Sequence, residues 1–207
     1  MRVLRLDECL STQDEARAQP LWTAVVCAHQ SAGRGRLDRS WEAPPGTALL
    51  ASFVLPYRAL AGFAAGVAAA EAAATSARLK WPNDLELAGR KLGGILVENH
   101  GPTSIVGVGI NLAWAPPGAA KLQEPREAVL ERLCAALERW FAASDEEVLE
   151  AWRQRSSTLG RMVRAELAGG GQVVGVAEDL DRDGALLVAG QRVVVADLFH
   201  LRVEPAT

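Results

Sequence analysis

Lysine is scarce in this chain of 207 residues: three lysines stand against 19 arginines. The chain uses arginine wherever a positive charge suffices, yet Lys80 and Lys91 fall within one 12-residue stretch. An ammonium is a compact point charge and a guanidinium a planar fork, so that stretch reads as one that needs ammonium groups. Cysteine is also sparse. Cys9, Cys27 and Cys134 are far apart and form no CxxC pair, which argues against a disulfide framework or a cysteine zinc site and for a reducing cytoplasm. With only His29, His100 and His200, a histidine-built metal centre is not expected. No apolar run reaches the ~18 residues of a membrane span. Asp7 and Glu8 come too early for a signal-peptide core. There is no basic excess, the net charge being −3, which argues against a generic nucleic-acid binder.

What is present is an ordinary globular mixture, 49% hydrophobic and 23% charged. Val3–Leu6 reads as a strand, and Ser11 caps a short helix to about Ala18. Leu21–Ala28 reads as a buried strand and Thr47–Leu55 as another. Between them lies a loop, 29–46, rich in glycine and arginine. Leu60–Thr75 is an alanine-rich helix whose Gly62 and Gly66 imply close packing on a sheet. Ala77–Trp81, Asp84–Leu87, Lys91–Asn99 and Thr103–Leu112 follow as strands. Glu127–Ala143 carries a helical apolar stripe, and Ser144 to Glu147 is a capping box opening a helix to about Ser157. After Gly160 come short strands: Arg161–Leu167, Gln172–Leu180, Ala185–Val188, Arg192–Ala196 and Leu198–Val203. The fold class is therefore α+β, a mixed sheet flanked by helices, with a small C-terminal β-barrel. The expected domains are 1–158 and 159–207. The second is too small to hold a large core alone and should lean on the first.

Four segments carry polar chemistry. In Gln30-Ser31-Ala32-Gly33-Arg34-Gly35-Arg36 the glycines admit close backbone approach and the arginines suit a carboxylate or phosphate. A solvated surface loop explains Gly-Arg-Gly-Arg equally well. It is neither a dinucleotide fingerprint nor a Walker A loop. In Lys80-Trp81-Pro82-Asn83-Asp84, Asp84 offers oxygen to Mg²⁺, although Pro-Asn-Asp also favours a plain turn. Lys91 opens the next strand before Gly93-Gly94. Val106 to Leu112 holds Gly107 and Gly109, which ask for a ligand or a bulge, and Asn111, with the donor and acceptor of an adenine reader or of a satisfied core amide. Ser11-Thr12-Gln13 is a helix start whose hydroxyls can also meet a polar head group.

Taken jointly and in this order, STQ, QSAGRGR, Trp41, KWPNDL, GRKLGGILVE, VGVGINL and the C-terminal GVAEDLDRDGALLV resemble the biotin protein ligases over essentially the whole chain. The resemblance implies a class II synthetase-like catalytic domain, a C-terminal SH3-like barrel, and biotinylation of a carrier-protein lysine through biotinyl-5'-AMP. Biotin and ATP would be substrates and Mg²⁺ the metal ion. It implies Lys91 and Arg36 as catalytic residues. Biotin would meet Ser11, Thr12, Gln13, Gln30, Gly33, Arg34, Gly35, Arg36, Lys91, Gly93 and Gly107. The nucleotide would meet Arg34, Arg36, Trp41, Lys91, Asn111 and Arg202, with Asp84 at the Mg²⁺ site. Family members commonly carry Asn where Gln13 stands, and some carry an acid where apolar residues precede Arg202.

The implied partner is the biotin carboxyl carrier domain of a biotin-dependent carboxylase, with no membrane and no DNA; a homodimer is compatible. A lipoate or octanoate ligase or transferase of the same fold is the alternative. The transferase uses a cysteine nucleophile, and none of the cysteines here sits in a glycine-rich motif; lipoate ligases lack the QSAGRGR loop. Repressor activity is not expected, because the motifs begin at Ser11 and leave no room for a helix-turn-helix. A catalytically dead binding module is disfavoured by the coexistence of Lys91 and Arg36.

Overall fold

The structure is a computed structural model. It describes residues 1–37, 39–73, 76–167, 170–194 and 196–200, the last five as backbone only. Strands β1 (Arg2–Cys9) and β2 (Thr23–Gln30) are parallel neighbours linked by helix α1 (Thr12–Ala16). Ser11 caps α1 by accepting from the Gln13 amide. Strand β3 (Ala48–Pro56) precedes helix α2 (Ala61–Ala72). A meander follows: β4 (Arg78–Lys80), β5 (Asp84–Leu87), β6 (Arg90–His100) and β7 (Thr103–Asn111). These strands form one seven-stranded mixed sheet ordered β1-β2-β3-β7-β6-β5-β4. Leu87 pairs with Arg90 across a two-residue turn, where Ala88 and Gly89 have φ of 51° and 70°. Turns of that hand match the twist of the flanking strands.

Period-two alternation gives the sheet two different faces. Leu49, Ala51, Phe53 and Leu55 of β3 and Val106, Val108 and Ile110 of β7 point into the main core. Helices α2, α3 (Arg126–Ala142) and α4 (Asp145–Arg155) contribute buried side chains to the same core. α2 is buried along most of its length; a Cβ on Gly66 would stand 3.4 Å from Leu79 and 3.7 Å from Trp152. Gly66 thus sits where helix, sheet and α4 meet. The other face bears Leu50 and Ser52 of β3 with Gly107 and Gly109 of β7. It is covered by α1 at one end, where Ala16 packs on Val25, Val54 and Ile105.

The C-terminal strands are β8 (Met162–Leu167), β9 (Gln172–Leu180), β10 (Leu186–Val188), β11 (Gln191–Val193) and β12 (Ala196–His200). They form an antiparallel sheet ordered β11-β10-β9-β8-β12. The edge strands β11 and β12 are consecutive in sequence. Three chain steps from Val193 to Ala196 span at most about 11 Å, whereas the edges of a flat five-stranded sheet lie about 19 Å apart. The sheet must curl into a small barrel. The same connection corrects one expectation: Arg192–Ala196 is not one strand, because the chain changes edge after Val193. The barrel's Val163, Ala177, Leu186 and Val188 belong to the same core as the large sheet. Arg153 of α4 ties the two together, donating to Asp179 at 2.7 Å and to the Leu180 carbonyl at 2.8 Å.

Candidate active site

A cavity of about 290 Å³ opens on the α1 face of the large sheet. Its floor follows from strand register. Leu50 pairs with Gly109, Gly109 with Gly94, Gly94 with Asp84 and Asp84 with Lys80, so five strands contribute one row. The next row sets Ser52 beside Gly107 and Gly107 beside Leu96. Glycine occupies the centre of both rows, where side chains would fill the space.

One end of the cavity is a lined polar recess. The Thr12 amide and hydroxyl both donate to Gln30 Oε1, at 2.7 and 2.8 Å, and Thr12 Oγ1 lies 2.7 Å from Ser52 Oγ. Ser11, Thr12 and Gln13 are buried and line the recess with Gln30. Gln13 Nε2 donates to the Leu96 carbonyl at 3.2 Å, while Gln13 Oε1 is buried with no hydrogen-bond partner among the described residues. A Cβ on Gly107 would stand 3.1 Å from Gln13 Nε2, so glycine there makes room for the longer amide. An unpaired buried acceptor costs about 1–3 kcal/mol; this one is available to an N–H of a ligand.

The other end is cationic. Lys91 Nζ lies 2.6 Å from Asp84 Oδ1 and 5.8 Å from the centre of the Trp41 ring. Arg36 donates from Nη1 to Asn83 Oδ1 at 3.2 Å, and Asn83 is itself fixed by its Nδ2 bond to the Ile95 carbonyl at 2.8 Å. Trp41 rests on the glycine floor, and its Nε1 is buried without a partner among the described residues. The Gly33–Trp41 segment folds on itself: Trp41 N donates to the Gly33 carbonyl at 2.9 Å, and a Cβ on Gly33 would collide with the Trp41 carbonyl oxygen at 2.3 Å. Gly33 is therefore a close-packed backbone position of the loop and lies outside the cavity lining.

The fold brings most of the sequence-derived candidates to this one cavity: Ser11, Thr12, Gln13, Gln30, Arg34, Gly35, Arg36, Trp41, Asp84, Lys91 and Gly107 all line it. Others it places elsewhere. A Cβ on Gly93 would meet the Gly109 carbonyl oxygen at 2.4 Å, which makes Gly93 a strand-packing residue outside the lining. Asn111 is buried and donates to the Ala120 carbonyl at 3.0 Å, bracing the 114–123 loop. Arg202 lies outside the described residues. The sequence reading did not assign Ser52, Asn83, Gly94 and Arg39 to the site, and of the two glycines it singled out in β7 it carried only Gly107 into the ligand set, though Gly109 lines the cavity too. Only the paired strand glycines of GG and GVG carried a signal that could have found Gly94 and Gly109.

A polar recess at one end, cations at the other and a glycine floor between them define a site for an elongated ligand with a polar head and an anionic tail. The chain belongs to the biotin/lipoate ligases: residues 8–113 match the Biotin/lipoate A/B protein ligase family. Residues 158–196 match the Biotin protein ligase C terminal domain. Among its relatives, a biotin--[acetyl-CoA-carboxylase] ligase of Mycobacterium tuberculosis is 36% identical over 210 residues, covering 86% of this chain and 79% of that protein. The enzyme of that name from Paracoccus denitrificans is 34% identical, covering 83% and 87%. The fold is also that of the Aquifex aeolicus biotin protein ligase in complex with biotin and ATP, with a TM-score of 0.85, 24% identity, and coverage of 97% of this chain and 99% of that one. No helix among the described residues is long and apolar enough to cross a membrane.

Proposed function

We propose that this protein is a biotin–[carboxyl carrier protein] ligase, joining biotin to one lysine of a carrier domain of acetyl-CoA carboxylase at the expense of ATP. The observation that carries the reading is the two-ended cavity: a buried amide acceptor at one end, Gln13 Oε1, and Lys91 and Arg36 at the other. Biotin's ureido head offers N–H donors to such an acceptor, whereas the dithiolane of lipoate has none. That favours biotin over the lipoate reading. The names of the two relatives support it too.

In the first half-reaction a biotin carboxylate oxygen attacks the α-phosphorus of ATP. The P–O bond to pyrophosphate breaks, and pyrophosphate leaves with the electron pair. Both reactants are anions, so fixed positive charge aimed at the phosphoryl oxygens lowers the barrier. Lys91 supplies a point charge there, and Arg36 a fork that spans two oxygens. Trp41 would bear on the adenosine. In the second half-reaction the neutral amine of the carrier lysine attacks the acyl carbon, AMP leaves with its electron pair, and the amine releases a proton. Residues 29–46 would exclude water from the mixed anhydride in between.

Mg²⁺ fits this donor set only as a companion of the phosphates. Among the described residues no three acidic, histidine or cysteine side chains gather into a metal cage. One carboxylate plus substrate phosphates is an ordinary Mg²⁺ arrangement, and Asp84 is the carboxylate that lines the cavity among the described residues. The ion would supply charge neutralisation at the phosphates. We assign residues 1–158 to catalysis and 159–207 to a C-terminal module that buttresses it.

Pyrophosphate release from ATP, measured with and without biotin, tests the reading. Biotin-dependent release followed by labelling of one carrier lysine is expected. Release with lipoate and none with biotin overturns it.

A further inference from the structure

Beside the cavity four charged groups close a ring. The Arg34 guanidinium forks both oxygens of Asp14, at 2.7 and 2.9 Å. Its Nη2 also lies 3.5 Å from Glu98. Arg17 completes the circuit, 2.8 Å from Glu98 and 3.3 Å from Asp14. His100 Nε2 also lies 3.7 Å from Glu98, at the oxygen that Arg17 contacts. Asp14 lies on α1, Arg17 caps its C-terminal end and Glu98 lies in β6, so Arg34 is the member of the ring that comes from the glycine-arginine loop. Arg34 lines the cavity; the two carboxylates do not. The hydrogen bond from Arg34 holds the Asp14 carboxyl below its ordinary range, and Asp14 in turn raises Arg34. Burial pushes Glu98 up, but Arg17 and Arg34 together outweigh it and its acidity is increased.

This arrangement changes what Arg34 does. Two positive and two negative charges make the ring neutral, and the planar fork of Arg34 is already matched to a carboxylate. Two residues further on, Arg36 reaches Asn83 in the β4–β5 turn. The loop is thus strapped to α1 and β6 through Arg34 and to the opposite hairpin through Arg36. Its backbone ties are at its start: Ser31 N to the Cys9 carbonyl at 3.0 Å and Ala32 N to the Leu10 carbonyl at 2.9 Å.

We propose that Asp14 and Glu98 are positioning residues, which through Arg34 latch the 31–41 loop over the cavity and so set how long the activated acyl group is retained. The proposal rests on the ligase reading for its second clause only. The partners are partly exposed, with side-chain exposures from 25% to 48%, so each pair is worth little alone and the network more.

The test uses Asp14→Asn and Glu98→Gln in the full chain, with two readouts. The first is trypsin cleavage after Arg36 and Arg39 without any ligand. Each variant should be cut within the loop roughly three- to tenfold faster, the range for a partly exposed charge network, with cleavage after Arg164 and the unfolding temperature as in the parent. Because both variants open one latch, the double variant should exceed neither by much. The second is escape of preformed biotinyl-adenylate into solution, which should rise more than its single-turnover formation falls. Asp14→Glu should restore part of both. Loop cleavage at the parent rate, or a rise matched at Arg164, overturns the latch. Faster cleavage with unchanged escape overturns its role in retention. If the parent forms no adenylate the ligase reading fails, while the cleavage readout still decides the latch.

Discussion

The Trp41 indole lies directly on Gly109: a Cβ at that position would stand 2.6 Å from Trp41 Cε2 and 3.0 Å from its Nε1. Gly94, the Gly109 neighbour in β6, lies beneath the same ring, with 3.6 Å to Trp41 Cζ3. The glycine floor is therefore a seat for a flat ring. Gly109→Ala should lift the indole by at least the overlap. Overpacking of this kind costs about 1–3 kcal/mol. The expected outcome is a raised KM for ATP with the Kd for biotin much less affected, since the recess formed by Thr12, Gln13 and Gln30 lies at the other end. Titration of both ligands checks it, and an unaltered KM for ATP would remove Trp41 from the nucleotide site.

Lys91 is held 2.6 Å from Asp84. The pair keeps the ammonium at the cationic end while leaving it half-exposed to an incoming phosphate. Lys91→Ala should slow single-turnover adenylation by roughly 100-fold or more, the scale of losing one preorganised charge. Biotin binding should largely persist. Adenylation near the parent rate would rule this role out.

Arg36 reaches from the loop to Asn83 at 3.2 Å and lines the cavity. A hydrogen bond to a charged group contributes about 1.5–3 kcal/mol, so Arg36→Gly should speed escape of the adenylate by roughly 10- to 150-fold. Lys91 remains, and adenylate still forms. Free biotinyl-adenylate then labels lysines on bystander proteins. Incubation with biotin, ATP and serum albumin measures this; albumin labelling no greater than with the parent protein sinks the assignment.

Trp81 joins the cavity to the barrel. Its indole Nε1 donates to the Gly184 carbonyl at 3.0 Å, and its amide to Thr158 Oγ1 at 3.0 Å. Trp81 is 2% exposed, and Gly184 is buried against Phe63 at a φ of 80°. Trp81→Phe leaves that carbonyl unpaired, at a cost of about 1–3 kcal/mol. Tm should fall by roughly 3–10 °C for a chain of this size. Thermal unfolding decides it, and an unchanged Tm would mean the barrel is held elsewhere.

Local signals were sufficient where local physics decides the outcome. Ser11 was legible as a cap and Ser144 to Glu147 as a capping box, because a cap is a contact between residues at most three apart. The strands of the meander were legible as short β-rich runs, and Gly89 suits the positive φ of the turn between two of them. The order of the polar segments pointed to the chemistry. Strand ends were read less well near residue 194, where the edge change of the barrel depends on which strands pair.

The chain by itself thus determined the elements, the two unlike faces of each strand and the inventory of polar groups. Tertiary structure alone decided which of them meet. Gly94 and Gly109 are 15 positions apart and become neighbours only through the β6–β7 register. Ser52 looks like any strand serine until β3 is laid beside β7 and Thr12 descends onto it. Arg34 looks like any loop arginine until α1 and β6 bring Asp14 and Glu98 to its guanidinium. Periodicity along one strand fixes a side chain's face, but its partner across the sheet depends on pairing and turn length summed over distant segments. Contacts of that range are set by the packed whole.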